Sequence, residues 1–361
     1  MSLQFKRFLA LIFISLLLIT SAFAERNTLG EEISVIDNDV LDQEINKLNA
    51  LNFNPASPAN KTQNPQSNKA EINLWQRIFS RFEIKDENNL RSKKYEDWYS
   101  ARPEYIERMM DRSQKYLFYV VGEVEKRDMP SEIALLPMIE SAYNPIANSR
   151  SKAVGIWQFI PSTGRLYGLK QDWWQDKRRN VVDATNAALD YLQKLHALFG
   201  TWDLALAAYN AGEGTVSRAI ARNKAKGLPT DYAHLKLPAE TKDYVPKLQA
   251  IKNIVSNPNQ YGLYIDPIPN KPYFTYVDAP AVIDADLAAN LAEISYDEFL
   301  LLNSEHRRPL IRTNEKTQQL ILPISSADTF TKNLSQNEKP LVSWNIYQPK
   351  RNEKIKAIAN K

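Results

Sequence analysis

Apolar side chains recur every three to four residues through the middle of the chain, which is the spacing of an amphipathic helix. From residue 74, Trp75, Ile78, Phe79 and Phe82 follow this spacing. The same spacing continues in residues 103–126, 131–140, 181–199 and 202–209. Since no apolar–polar alternation of comparable length interrupts these segments, the pattern predicts a mainly α protein whose helices pack around a shared core.

The first 70 residues have a different character. Lys6 and Arg7 precede an apolar run at residues 8–19 and a small-residue cleavage pattern, so residues 1–24 have the form of a secretory signal. The run is shorter than the roughly 20 residues of a membrane span, although an uncleaved N-terminal anchor fits the same pattern. Residues 25–70 are rich in Asn, Asp, Gln and Pro, which predicts a disordered linker.

Composition excludes several kinds of chemistry. The chain of 361 residues has three His and no Cys, so disulfide scaffolds, thiolate metal sites and cysteine nucleophiles are excluded, and we expect neither a metal nor a cofactor. The formal net charge of +4 falls to +2 once the signal with its two cations is removed. This small excess gives no reason to expect nucleic-acid binding.

One carboxylate lies in an unusual pattern. If residues 131–140 form one helix, Ile133, Leu136 and Glu140 share a face. Burial among aliphatic groups raises the pKa of a carboxyl group, which is how a Glu becomes a general acid near neutral pH. The alternative is a Glu at the end of a helix that turns toward water.

Four further polar or aromatic residues are candidates for a site. Tyr209 lies on the apolar face of the segment 202–209, and Gln158 is an amide among apolar neighbours, so each needs a hydrogen-bond partner or a ligand. The pair Trp173 and Trp174 could stack on sugar rings. For the tyrosine and the tryptophans, packing in a core is the alternative reading.

Four ordered motifs resemble a lytic transglycosylase domain related to goose-type lysozyme. They are Glu-Ser at 140–141, Gly-Ile-Trp-Gln at 155–158, Ala-Tyr-Asn-Ala-Gly at 208–212 and Glu-Thr-Lys-Asp-Tyr-Val-Pro at 240–246. The run that continues to residue 165 is most similar to the membrane-bound lytic murein transglycosylase D type. The resemblance implies a lysozyme-like helical catalytic domain at residues 130–265, preceded by a helical extension at residues 71–129.

The resemblance also implies roles for individual residues. Glu140 matches the single catalytic acid and base, and Ser141 matches the neighbour that positions it. Gln158 and Asn210 match residues that contact the glycan. The remaining substrate-binding residues are Tyr209, whose hydroxyl bonds near the acid, and Glu240 and Tyr244, which line the cleft.

The activity implied by the resemblance is cleavage of the β-1,4 bond between N-acetylmuramic acid and N-acetylglucosamine, with formation of 1,6-anhydromuramyl ends. The muramyl C6 hydroxyl attacks C1, so no second carboxylate and no water are required. Glu213 and Asp183 are the candidates for a second carboxylate, although the pattern favours an N-cap role for Asp183. A hydrolytic goose-type muramidase and a catalytically silent wall-binding protein are the alternative functions.

The C-terminal part has a mixed pattern. The pattern of residues 270–345 predicts a small α+β region, with extended residues at 273–277, helices at 286–293 and 296–302, and extended residues at 319–323. This region weakly resembles a LysM wall-binding module but lacks its glycine-containing start. An interdomain clasp is the alternative. Residues 346–361 form a basic tail.

Location and partners follow from the same resemblance. The chain has no cysteine for the lipid anchor usual in membrane-bound members and no evident tandem LysM repeats, so we expect export to the periplasm without a lipid anchor. Peptidoglycan glycan strands are the expected partner, with other cell-wall enzymes as further candidates, and the chain is expected to be a monomer.

Overall fold

The computed structural model describes residues 73–86, 89–343, 349–350 and 353–359. The predicted signal at 1–24 and the predicted linker at 25–70 lie outside the described residues. Among the residues that are described, no helix combines the length and the apolar composition needed to cross a bilayer.

The prediction of a mainly helical protein is confirmed. The helices that precede the sheet are α1 (Leu74–Phe79), α2 (Leu90–Ser100), α3 (Pro103–Gln114), α4 (Leu117–Lys126), α5 (Leu136–Ser141), α6 (Pro161–Leu166), α7 (Val181–Phe199), α8 (Trp202–Ala211), α9 (Glu213–Ala225) and α10 (Ala239–Ser256). Short 3₁₀ turns occupy Ser131–Leu135, Lys177–Arg179, Tyr232–His234 and Pro258–Tyr261.

The helical part has one continuous apolar core. Helices α7 and α8 pack against each other, and α4 packs against α7. The buried side chains of this core include Leu117, Val120, Leu189, Leu192, Leu204, Leu206, Leu248, Ile251 and Trp157. Burial of this much aliphatic and aromatic surface is the main contribution that holds the helices around the site.

Two predicted helices are interrupted. The stretch 103–126 is broken between α3 and α4, where the Tyr116 hydroxyl donates to the Leu301 carbonyl at 3.0 Å. The expectation of one helix over 131–140 is wrong, because a 3₁₀ turn precedes α5 and Pro137 lies in the first turn of α5. Proline lacks an N–H and therefore fits a helix start better than a helix interior. Ile133 and Glu140 consequently do not share a single helix.

A second expectation is wrong at the start of α7. Asn180, not Asp183, is the N-cap residue, and its side chain accepts a hydrogen bond from the Asp183 backbone N–H at 2.9 Å. Asp183 lies in the first turn, where a negative charge interacts favourably with the helix dipole.

The N-terminal extension is attached through a buried carboxylate. Glu132, in the 3₁₀ turn before α5, accepts hydrogen bonds from the backbone N–H groups of Glu83 and Ile84 at 3.1 and 2.9 Å. Lys252 of α10 donates to the same carboxylate at 3.0 Å. A buried charge is stable only when it is paired and hydrogen-bonded, so these contacts hold the extension, the turn and α10 together.

The C-terminal part is a small α+β unit, as predicted. It consists of β1 (Phe274–Asp284), α11 (Ala285–Leu291), α12 (Tyr296–Leu302), β2 (Leu310–Pro323) and α13 (Ile324–Ser335). The strands are antiparallel, with a register shift between Pro280 and Val282. The unit has its own core around Phe299 and Phe330. A short helix, α14 (Ile355–Ala359), lies in the basic tail.

The loop that follows α12 contacts the helical part. The Glu305 carbonyl accepts from the Asp176 N–H at 2.8 Å, and its carboxylate accepts from Asn180 Nδ2 at 2.6 Å. The Ser304 hydroxyl donates to the Arg179 carbonyl at 2.8 Å. The C-terminal unit therefore supports the segment 172–180, which in turn supports the loop of the candidate site.

Candidate active site

Glu140 lies in the last turn of α5, and a tight reversal follows it. Ala142 and Tyr143 have φ values of 49° and 57°, in the left-handed region that residues other than glycine rarely adopt. The Tyr143 hydroxyl donates to the Ala134 carbonyl at 2.7 Å and its N–H to the Pro137 carbonyl at 3.0 Å. These bonds hold a strained backbone of the kind often found at functional sites. They also fix the position of the backbone next to Glu140.

The half-buried Glu140 carboxylate is bonded to a distant part of the chain. The hydroxyl of Tyr244, which is buried in α10, donates to Glu140 Oε1 at 2.5 Å. A hydrogen bond to a carboxylate is shorter and stronger than one between neutral groups. The structure thus brings together two predicted site residues, one from the first motif and one from the fourth.

The loop of residues 152–159, which we call the glycine loop, packs beside α5 and is held by Arg178. Gly155 has a φ of 80°, and a Cβ at this position would lie 2.2 Å from the Arg178 carbonyl oxygen, so only glycine fits. The Arg178 guanidinium donates to the Lys152 and Phe159 carbonyls at 2.8 and 2.9 Å. It also bonds to the Asp176 carboxylate at 2.8 and 3.0 Å. The loop is thus fixed at both ends by one buried arginine.

Two predicted site residues bind this loop. The buried hydroxyl of Ser141 donates to the Ile156 carbonyl at 3.0 Å, which joins the end of α5 to the loop. Gln158 has a left-handed φ of 49°, and its Nε2 donates to the Gly155 carbonyl at 2.8 Å. Since this bond uses the amide nitrogen, the side chain is oriented by the loop itself.

A row of tyrosines leads away from Glu140. The Tyr209 hydroxyl donates to the Trp157 carbonyl at 2.9 Å, and the ring of Tyr191 lies 5.6 Å from that of Tyr209. Tyr167 follows, 5.1 Å from Tyr191. Burial, and after it the negative charge of Glu140, raises the pKa of Tyr209 well above its usual value. The Tyr209 hydroxyl therefore stays protonated and remains a donor.

The other two predicted residues differ in their placement. Asn210 Oδ1 accepts from the buried Thr241 hydroxyl at 2.8 Å, which links the end of α8 to α10. Glu240 is exposed in the first turn of α10. Its place in the cleft stays a prediction.

The two candidates for a second carboxylate are bonded to lysines. Glu213 pairs with Lys194 at 2.8 Å, and Asp183 pairs with Lys177 at 3.2 Å. Burial, and after it the charge of Glu213, raises the pKa of Tyr191 to about 12. The charge of Glu213 therefore influences the pKa of Tyr191, whereas the carboxylate that influences the pKa of Tyr209 is Glu140.

Sequence reasoning missed the residues that support the loop. Arg178 and Asp176 form a buried ion pair, and Trp157 Nε1 donates to the Thr185 hydroxyl at 2.9 Å inside the core. An Asp and an Arg two residues apart within a run of four charged residues, 176–179, give no distinctive pattern. The sequence feature that could have indicated this support is Gly155, because an obligate glycine indicates that another backbone approaches closely.

Comparison with known proteins identifies the families that the chain resembles. Residues 121–230 match the Transglycosylase SLT domain family, and residues 273–339 match the family described as lytic transglycosylase MltD, LysM-like domain. The chain is 37% identical over 266 residues to membrane-bound lytic murein transglycosylase D of Escherichia coli (strain K12), covering 73% of this chain and 59% of that protein.

Two further similarities are weaker. Membrane-bound lytic murein transglycosylase C of Pectobacterium atrosepticum is 32% identical over 134 residues, covering 32% of this chain and 37% of that protein. An X-ray structure of an inactive mutant of lytic transglycosylase Slt from Pseudomonas aeruginosa has 24% identity and a TM-score of 0.29, covering 42% of this chain and 24% of that chain. The chain spans about three fifths of the length of the Escherichia coli relative. The two family matches show that the chain carries a Transglycosylase SLT domain, followed by a LysM-like domain of the MltD kind.

Proposed function

We propose that this protein is a peptidoglycan lytic transglycosylase with Glu140 as its single catalytic acid and base. The observation that carries the proposal is the Glu140 carboxylate itself, held by the Tyr244 hydroxyl at 2.5 Å beside the glycine loop. The matched domain families and the relatives named as lytic murein transglycosylases support the substrate class.

The proposed reaction has two proton transfers. The protonated Glu140 carboxyl group gives its proton to the glycosidic oxygen while the bond from that oxygen to the muramyl C1 breaks. The resulting carboxylate then takes the proton of the muramyl C6 hydroxyl as the C6 oxygen bonds to C1. An attacking group in the same sugar ring is already close and aligned, which lowers the entropic part of the barrier. Water is not consumed.

Each supporting residue has a proposed role in this reaction. Tyr244 orients the Glu140 carboxyl group, and Ser141 couples its helix to the glycine loop. Tyr209 holds the Trp157 carbonyl, and Gln158 and Asn210 present amide groups to the glycan. Glu213 and Asp183 are bonded to lysines, which favours a mechanism with one carboxylate over the arrangement of two that glycoside hydrolysis requires.

Mass spectrometry of digested murein tests the proposal. A transglycosylase leaves anhydromuramyl ends that are one water lighter than the reducing ends made by a muramidase. We expect anhydro ends from the wild-type protein, and loss of digestion but not of glycan binding for Glu140→Gln. Reducing ends as the main product would indicate the goose-type muramidase. Undiminished digestion by the variant would remove Glu140 from the mechanism.

We also propose that the protein acts in the periplasm, where its substrate lies. The support is the signal pattern at residues 1–24 and the naming of the relatives as membrane-bound murein enzymes. Sequencing the N-terminus of the exported protein tests this proposal. A chain that starts at residue 25 fits a cleaved signal, whereas one that starts within the first five residues indicates an uncleaved anchor.

A further inference from the structure

Two adjacent tryptophans lie where the C-terminal unit meets the segment 172–180. The Trp173 side chain is 66% exposed, and the Arg308 guanidinium lies over one face of its ring, 3.6 Å from the centroid. Arg312 of β2 lies over the Trp174 ring at 5.0 Å. With one face covered by a cation and most of its surface open, Trp173 is placed to stack on a ligand rather than to close a core.

Positive charge is concentrated around these rings. Arg307 is exposed, and its Nη1 donates to the Asp172 carbonyl at 3.1 Å. The Nε atoms of Arg308 and Arg179 are buried and have no hydrogen-bond partner within the described residues. Burial lowers the pKa of Arg179; the charge of Asp176 raises this pKa, and the charges of Arg307 and Arg178 lower it. We call Trp173, Trp174, Arg307, Arg308 and Arg312 the arginine–tryptophan patch.

Nearby carboxylates offset only part of this charge, and each of them also bonds to other groups. Asp172 pairs with Lys170 at 3.2 Å, and its carboxylate also accepts from the backbone N–H groups of residues 174 and 175. Asp176 is bonded to Arg178 at 2.8 Å. The buried Glu305 carboxylate accepts from Asn180. The patch therefore presents a net positive charge next to an open aromatic ring.

We propose that the arginine–tryptophan patch is an accessory binding site for peptidoglycan strands, separate from the cleft at Glu140. The ring of Trp173 stacks on the apolar face of a pyranose, and the arginines bind the carboxylates of the peptides attached to the strand. This proposal rests on the proposed function, which supplies the substrate class. Charge complementarity carries the choice of ligand, since a guanidinium matches a carboxylate in geometry as well as in charge.

The patch is also connected to the loop of the candidate site. Arg179 follows Arg178, whose guanidinium holds the Phe159 carbonyl at 2.9 Å. A strand held at the patch would thus be bound by the segment that supports the glycine loop. We therefore expect the patch to increase affinity for long strands that can reach both places.

Cosedimentation with purified murein sacculi tests the proposal, using full-length protein with Glu140→Gln so that the sacculi stay intact. In this background, Trp173→Ala and Arg308→Gln should each weaken binding about five- to tenfold, as is typical when a central Trp or Arg of an interface is lost. The matched controls are Tyr264→Ala, an aromatic side chain that is 79% exposed, and the exposed Arg218→Gln. Both controls should bind within twofold of the parent protein.

A second ligand distinguishes the contribution of Trp173 to binding from that of Arg308. On strands whose peptides an amidase has removed, only the lactyl carboxylates of the muramyl residues remain, so the effect of Arg308→Gln should become smaller, while that of Trp173→Ala should persist. Arg308→Lys, which keeps the charge, should restore part of the binding to intact sacculi.

Three results would overturn the proposal. The first is binding of the Trp173 and Arg308 variants that equals binding of the controls. The second is an Arg308 effect of the same size on strands without peptides. The third is that the Trp173 and Arg308 variants lose binding to anionic lipid vesicles but keep binding to sacculi. That result would assign the patch to a membrane surface. Digestion of sacculi by the Glu140→Gln background protein would instead contradict the proposed function, so the two failures are distinguishable.

Discussion

Replacing Arg178 by methionine should destabilise the protein and disable the site together. The Arg178 and Asp176 side chains are 8% and 7% exposed, and two hydrogen bonds join them at 2.8 and 3.0 Å. Methionine keeps the apolar stem but leaves the Asp176 carboxylate buried without its cation. Breaking a buried ion pair in this way costs about 3–5 kcal/mol. Digestion of murein should fall as well, because the carbonyls of Lys152 and Phe159 lose their donor.

Urea unfolding followed by tryptophan fluorescence measures the change in the free energy of unfolding. Arg218→Met is the matched control, because this arginine is exposed in α9 and its loss should change the free energy by no more than about 0.5 kcal/mol. Combining Arg178→Met with Asp176→Leu should recover much of the stability, since the double variant leaves no unpaired charge. A loss below about 1 kcal/mol for Arg178→Met alone would refute the reasoning from a buried pair.

Three further predictions concern other contacts. Tyr244→Phe removes the hydrogen-bond donor to Glu140 with little change in side-chain volume. Murein digestion should therefore fall about tenfold or more, while the unfolding midpoint changes little. An unchanged initial rate of digestion would contradict the orienting role of Tyr244. Gly155→Ala should abolish digestion and lower thermal stability, because the added Cβ would lie 2.2 Å from a carbonyl oxygen. A wild-type unfolding midpoint in calorimetry would contradict this expectation. The Arg77 hydrogen bond lowers the pKa of Glu125, so this pair stabilises the fold above pH 4.5 and loses its effect as the pH falls through the lowered value. Arg77→Met should therefore reduce unfolding free energy by about 1 kcal/mol at pH 7 and by less at pH 3, and an equal loss at both pH values would sink the assignment.

The helical elements could be predicted because their pattern is local. The apolar spacing in residues 181–199 matches α7 residue for residue, and the segment 296–302 matches α12. The same spacing failed at residues 131–140, where Pro137 forces a new helix to begin after a 3₁₀ turn. Hydrophobic periodicity cannot distinguish one helix from a turn and a helix that bury the same residues.

The sequence motifs named candidate site residues but not the hydrogen bonds between them. The motifs indicated Glu140, Tyr209 and Tyr244 as site residues, and their roles remain predictions. That the Tyr244 hydroxyl binds Glu140 while the Tyr209 hydroxyl binds the Trp157 carbonyl depends on how α5, α8 and α10 pack. No spacing along the chain contains that information, because these contacts join residues far apart in sequence.

The strands illustrate a different limit. The pattern predicted extended residues at 273–277 and 319–323, whereas β1 and β2 run from Phe274 to Asp284 and from Leu310 to Pro323. The added length has many exposed polar positions on β2, and its stability comes from pairing with the other strand. A long two-stranded ribbon of this kind is set by partner contacts that the local pattern does not contain.

The long separations between bonded residues have a consequence for the order of folding. Glu140 and Tyr244 are 104 residues apart, and Asn180 and Glu305 are 125 residues apart. Closing loops of this length costs about 4 kcal/mol of chain entropy each, by the logarithmic dependence on loop length. Such contacts form late, after the local helices. We therefore expect a chain that is still emerging from the ribosome to have its helices but not its assembled candidate site, so that the proposed activity arises only when the last strand has docked.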